Sequence, residues 1–284
     1  MLLTDLLRRG PQAISPTAHY TGYVWAHHGL GDKALATREG WVMYHAGQAA
    51  MLPVDLLGGP TLEHSLLARH RVMDHLLTEA VKSGQVGQVV ELAAGMSPRG
   101  LTYTREYADL TYVEVDLPAM ADRKAGALAR LGSLGPRHRV ERADVFAGDG
   151  LARVFAGLDA GVGTAVITEG LLNYFPTPAV QDLWTRVADG LGRFPTGLYL
   201  SDLHVQAGHG VAERAFAAAL SVAVRGRVHL HFDGVRAAEQ ALRDAGFDTG
   251  TLHAPAEYAD RLPGMLAAGA GKVHVVEARV NPDS

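Results

Sequence analysis

From residue 86 onward the chain alternates short β-forming runs with helix-forming ones, and this alternation constrains the fold more than any other feature. Runs at 86–93, 111–116, 138–143, 164–169 and 197–202 are followed by helical patterns at 98–108, 118–131, 149–156, 177–190, and 208–222 with 233–245. A parallel neighbour needs a crossover of a dozen or more residues, which a helix supplies. The repeat therefore predicts a largely parallel sheet covered by helices on both faces. The stretch "KVHVVEARV" at 272–280 alternates well enough to be a strand with no helix after it. Before residue 80 there is no strand alternation. Helical patterns broken by Gly and Pro, as in "LGGP" at 57–60, accompany an aromatic and histidine-rich stretch, "SPTAHYTGYVWAHHGLG". The expected organisation is a helical N-terminal cap or lid over 1–80 and a doubly wound α/β domain over 81–284.

Composition removes several classes of function. A hydrophobic content of 48% in 284 residues fills a real core. The net charge of −4, with Lys and Arg scattered, offers no footprint for a phosphate backbone, so nucleic acid is not an expected partner. No stretch approaches the ~20 apolar residues of a membrane span, and residues 1–10 carry an apolar face without an uninterrupted core or a small-residue cleavage site. These observations imply a soluble, cytoplasmic protein. The absence of cysteine excludes disulfides, thiolate metal sites and cysteine nucleophiles.

The bend in "VVELAAGMSPRG", residues 89–100, is where a ligand is expected. It reads as strand, tight turn and helix start, with Ser97 a good N-cap and Pro98 well suited to a first helical position. A dinucleotide fingerprint G-x-G-x-x-G would place glycine third, so that the helix packs on the strand and its N–H groups face a pyrophosphate. Ala93, Gly95 and Pro98 occupy those three places here, and proline has no N–H to give. No G-K-[ST] ending follows, which removes the P-loop reading. Glu91 followed by small, any, Gly, any, small has the form of a first S-adenosylmethionine motif. Further strand ends agree: "TYVEVDLP" ends in Asp116, about twenty residues on, where an acid can hold both ribose hydroxyls, with Leu117 beside it. "RADVF" places Asp144 to accept from an adenine amino group, with the Val145 N–H nearby, and "VITEGLLNYF" leaves Glu169 at the crevice mouth.

Taken in order, "ARHRVMDHLL", "VVELAAGMSPRG", "YVEVDLP", "ADVF" and "TEGLLNYF" make the chain, over roughly residues 60–205, resemble the leucine carboxyl methyltransferase-like family of class I S-adenosylmethionine-dependent methyltransferases, close to its bacterial polyketide-tailoring O-methyltransferases. The resemblance implies a Rossmann-like, seven-stranded class I fold with S-adenosyl-L-methionine as cofactor and S-adenosyl-L-homocysteine as product. It further implies that Arg69 pairs with the methionine carboxylate, that Gly95 passes close to the cofactor, that Asp116 grips the ribose, that Asp144 meets the adenine and that Glu169 lies near the methionine amino end. The family usually has glycine where this chain has Ala93 and an acid where it has Ser97, while Arg99 is kept.

Methyl transfer from a sulfonium requires an aligned nucleophile and exclusion of water. A carboxylate, with a pKa near 4, needs no base; a phenol, near 10, benefits from one. The expected acceptor is a carboxylate on a polyketide-like or aromatic acid, with Arg71 or Arg99 steering it. The alternative is a phenol with His204 as general base, and an alternative of another class is an inactive cofactor-binding regulator or scaffold. Tyr20, Tyr23, His28 and Tyr174 are the remaining candidate substrate contacts, although Tyr20, Tyr23 and Trp25 read more readily as a helix packing face than as a substrate box. Fourteen histidines raise a metal site at His229 with His231, or His204 with His209, but no acid stands at a ligand spacing and none is expected. Expected partners are the small-molecule substrate and a second copy of the chain in a homodimer.

Overall fold

The computed structural model describes residues 15–56, 62–205, 229–262 and 273–280. Seven strands, β1 (Gln88–Leu92), β2 (Thr111–Asp116), β3 (His138–Arg142), β4 (Thr164–Thr168), β5 (Gly197–Leu203), β6 (Thr249–His253) and β7 (His274–Val280), form one sheet in the order β3-β2-β1-β4-β5-β7-β6. Strands β1 to β5 run parallel, and β7 is antiparallel to both β5 and β6. The α/β class and the seven strands match the sequence expectation. Strand order reverses between β1 and β4, which opens a crevice at their carboxyl ends, the place where open α/β sheets bind ligands.

The buried strands show continuous apolar runs because both faces are covered. Val90, Leu92, Val113, Val115, Val166 and Tyr199 point into one core, and Val89, Tyr112, Ala165, Ile167, Leu198 and Leu200 into the other. Full burial of each such side chain contributes roughly 1.5–3 kcal/mol before the entropy of ordering it is subtracted. Strand β6 escapes the sequence reading for the opposite reason. "TGTLH" is an edge strand, largely exposed, with a glycine and almost no apolar face.

Helices α1 (Ser15–His27) and α2 (Arg38–Leu56) make the N-terminal layer. Helix α3 (Leu62–Lys82) does not belong with them, although the division at residue 80 assigns it to the cap. Its Val72, Met73, Leu77 and Ala80 are buried against Val89, Ile167, Leu198, Leu200 and Val275, so it is a layer of the α/β unit. The remaining helices follow their strands: α4 (Arg99–Glu106), α5 (Pro118–Arg130), α6 (Gly150–Ala156), α7 (Thr177–Leu191) and α8 (Val235–Asp244). The helical pattern at 208–222 lies outside the described residues. Among the described residues no helix is long and apolar enough to cross a membrane.

Candidate functional site

After β1 the chain turns through two left-handed residues, Ala93 (φ 52°) and Gly95 (φ 52°), before α4 begins. The helix starts one residue later than the sequence suggests: Pro98 is the N-cap, its carbonyl taking the Thr102 N–H at 3.0 Å, while Ser97 Oγ only accepts from the Arg99 N–H at 3.3 Å. Helix α1 lies directly on this turn. A Cβ on Gly95 would stand 2.9 Å from the Ala18 Cβ, and one on Gly22 only 2.5 Å from the Met96 Cβ. Both glycines are therefore what lets cap and turn meet.

Beside the turn is a cavity of about 110 Å³, several times the space one water needs. Ala93, Asp116, Leu117, Asp144 and Val145 line it, all foreseen in the sequence. The apolar walls were not foreseen: Ala18, Met120, Leu171, and Phe146 with Phe175, whose rings stack at 3.8 Å between centroids. Both phenylalanines lie at the ends of motifs read for their acids, "ADVF" and "NYF". Asp116 accepts from the Gly95 N–H through Oδ2 and from the Leu117 N–H through Oδ1, each at 2.7 Å. Burial nevertheless pushes its carboxyl up, only partly offset by those two donors. Two oxygens with about four acceptor positions between them leave capacity for two more donors. Asp144 is oriented by the Phe146 N–H at 3.0 Å.

A different set of acids lies deeper, in an ion network. Arg99 is 1% exposed. It donates to Asp74 Oδ1 (2.6 Å), Glu91 Oε1 (2.7 Å) and Glu169 Oε2 (2.8 Å). Arg69 donates to Glu169 Oε1 at 3.2 Å and to Asp202 Oδ2 at 2.6 Å, and Asp202 also takes the Gly170 N–H at 2.6 Å. His70 Nδ1 sits 2.8 Å from Glu169 Oε2 while its ring stacks on Trp25 of α1, 4.7 Å between centroids. Burial opposes the charge on Glu169, but His70, Arg99 and Arg69 outweigh it and hold that carboxyl far below the usual range.

Several expected roles change in this light. Arg99 is enclosed by three carboxylates and cannot steer an acceptor. Glu91 gives its oxygens to Arg99 and, at 2.7 Å, to the Tyr112 hydroxyl, so it orients the network instead of touching cofactor. Glu169 is committed to protein cations, not open at the mouth. Tyr20 and Tyr23 pack against Tyr44 of α2, at 6.3 and 5.1 Å between centroids, and burial pushes the Tyr20 hydroxyl up to about 12. They bind the two cap helices together, and Ala18 is the α1 residue in the cavity wall. His28 is an exposed residue paired with Glu63. Arg69 and Tyr174 stay near one another, Tyr174 being half-buried within reach of Thr17 of α1. Arg71 is half-buried on α3. His204 is buried at the end of β5, its N–H 3.4 Å from Asn173 Oδ1, and it is not among the cavity-lining residues. Both ring nitrogens of His231 are engaged, with Thr177 Oγ1 and the Leu172 carbonyl, leaving no ligand atom for a pair with His229; His209 lies outside the described residues. His70, Asp74 and Asp202 were missed, although Asp202 in "SDLH" is another acid at a strand's carboxyl end.

Comparison with known proteins agrees with this geometry. A protein of Mycolicibacterium paratuberculosis named "Putative S-adenosyl-L-methionine-dependent methyltransferase" is 35% identical over 143 residues, covering 48% of this chain and 44% of that one. One of the same name from Streptomyces coelicolor is 36% identical over 126 residues, covering 44% of each. The chain thus matches less than half the length of these relatives. Two crystal structures share the fold over nearly their whole length. A "putative methyltransferase" from Thermobifida fusca has a TM-score of 0.63 at 16% identity, over 92% of this chain and 94% of that one. A DUF574 family protein from Streptomyces avermitilis has a TM-score of 0.62 at 14% identity, over 93% and 96%. The leucine carboxyl methyltransferase family model matches residues 34–188, just over half the chain and the stretch that contains the turn, the cavity acids and the ion network apart from Asp202. The chain belongs to the leucine carboxyl methyltransferase family, with the α/β architecture of class I methyltransferases and S-adenosyl-L-methionine as its cofactor.

Proposed function

We propose that this protein transfers the methyl group of S-adenosyl-L-methionine to an oxygen of a small molecule, a carboxylate of a polyketide-like or aromatic acid. The observation that carries the reading is the pairing of an apolar, aromatic-walled cavity with Asp116, a half-buried carboxylate whose oxygens retain acceptor capacity. That combination suits an adenosine: apolar walls for the base, Asp116 for the ribose hydroxyls and Asp144 for the exocyclic amine. Arg69, fixed by Glu169 and Asp202, lies against Gly170, next in the chain to the cavity-lining Leu171, and is the residue that would receive an amino-acid carboxylate. When bound, the cofactor supplies an activated methyl group and leaves as a neutral thioether. The chain's own residues have then to align the acceptor and keep water out, and α1, seated on the Gly95 turn, is placed to do the second.

A carboxylate acceptor needs no protein base, because it has finished titrating well below neutral pH. The expected rate at saturating acceptor is flat from about pH 6 to 8.5, and His204→Ala lowers kcat by less than about tenfold. The check is mass-spectrometric detection of methylated product from labelled S-adenosyl-L-methionine with a panel of aromatic acids, phenols and amines, followed by the pH profile on whichever acceptor reacts. Product from phenols alone, with a limb near pH 6–7 that vanishes in His204→Ala, would replace the carboxylate by a phenol.

A further inference from the structure

A second buried charge cluster lies behind the cofactor turn. Lys124, on the same face of α5 as the cavity residue Met120, is 1% exposed. Its Nζ donates to the Ser97 carbonyl at 2.6 Å, lies 3.4 Å from the Gly95 carbonyl and forms an ion pair with Glu114 of β2. Glu114, itself fully buried, also takes His138 Nε2 of β3 at 2.7 Å. The turn is thus gripped from two sides. Asp116 takes the Gly95 N–H, and Lys124 takes the carbonyls of Gly95 and Ser97. A peptide unit is planar and trans, so pinning the Gly95 carbonyl toward Lys124 turns the Met96 N–H to the opposite side. Two left-handed residues within three positions make this a segment that would adopt other paths without such pins.

We propose that Lys124, held by Glu114 and His138, is a positioning residue that presets the Ala93–Ser97 turn for the cofactor. The inference rests on the reading that this turn faces S-adenosyl-L-methionine. A lysine serves here because one Nζ carries three donors and can reach two carbonyls and a carboxylate at once.

The test is a paired neutralisation. Lys124→Met together with Glu114→Gln removes both charges, so neither is left buried alone, and keeps side-chain volume. Calorimetry with S-adenosyl-L-homocysteine is expected to show binding weakened about tenfold, the loss of a charge-assisted hydrogen bond, in a protein whose melting temperature stays near that of the parent. Amide hydrogen exchange without ligand is expected to rise at residues 93–98 and to stay unchanged in β4 and β5. Should the pair not fold, Lys124→Arg keeps the charge with a displaced fork of donors and is expected to give the same exchange pattern. Parental affinity and parental exchange in a folded variant would overturn the proposal. A parent protein that does not bind S-adenosyl-L-homocysteine would instead remove the functional reading, and the exchange at 93–98 would still decide the role of Lys124.

Discussion

Asp116 and Glu169 stand at the ends of strands on either side of β1, both carboxylates, the first half-buried and the second with its side chain buried, yet the protein moves their acidities in opposite directions. Asp116 takes two backbone N–H groups and feels Lys124 and Glu114 only weakly and with opposite signs, so burial pushes its carboxyl up. Glu169 meets Arg69, His70 and Arg99, which together overcome the same burial penalty and hold it down. Linkage turns this into a division of labour. The folded state with a lowered carboxyl pKa gains stability that is complete above the unfolded value near 4.3 and is lost as pH falls below it. A raised carboxyl pKa has the opposite sign: the charged form costs stability at neutral pH. Glu169 contributes to the fold, and Asp116 is maintained at its expense for a ligand that completes its hydrogen bonds.

The sharpest way to break this contrast is to remove a partner from the network. Glu169→Gln leaves Arg69 and Arg99 short of a buried counter-charge and is expected to lower stability by about 3–5 kcal/mol, read as a shift in the urea midpoint. The parent is expected to lose part of the same stability between about pH 4 and 2, and Glu169→Gln to lose less over that range. Arg69→Ala belongs with these substitutions: with Asp202 stripped of its cation and Glu169 left to Arg99 and His70, its expected loss in folding is at least as large as its loss in cofactor affinity. An urea midpoint for Glu169→Gln equal to the parent's would place Glu169 with the ligand-facing acids.

Asp116→Asn probes the other half. It is expected to weaken S-adenosyl-L-homocysteine binding by about 1.5–3 kcal/mol while changing stability by less than about 1 kcal/mol. The relieved desolvation of a buried charge offsets one backbone N–H that loses its acceptor. Because the free carboxyl is raised, parental affinity is also expected to fall as pH drops into the mildly acidic range, and Asp116→Asn to lack that dependence. Calorimetry at two pH values separates the outcomes, and equal pH dependence in both proteins would deny Asp116 its role.

What the sequence made legible follows the same division. The cavity acids were readable because each ends a β run, and strand-end position is a one-dimensional property. The network was misread at Glu91, Glu169 and Arg99 because position says where a carboxylate is, not which cation reaches it. Asp74 lies 25 residues before its partner Arg99 and Asp202 lies 133 residues after its partner Arg69, and only packing of α3 on the sheet brings them together. Tyr20 and Tyr23 illustrate a related limit, since an aromatic pair near a site reads the same whether it faces ligand or the next helix. Strand β6 shows a third: an exposed edge strand has no apolar alternation to detect.

Ala93 gives the smallest and most local test of the comparison, because it belongs to the ligand-facing half and bears strain. An L-residue with a side chain at φ 52° costs roughly 1 kcal/mol relative to glycine, through the contact between Cβ and the following carbonyl. This chain therefore carries a methyl group in the cavity wall that the backbone alone does not favour. Ala93→Gly is expected to relieve the strain and raise stability by up to about 1 kcal/mol, less what the unfolded chain gains in freedom from the new glycine. If the methyl packs on the bound cofactor, the same substitution weakens S-adenosyl-L-homocysteine by a few-fold, so stability and affinity move in opposite directions, as Asp116 predicts for this side of the site. A variant that loses stability and keeps parental affinity would instead group Ala93 with the network residues that serve the fold.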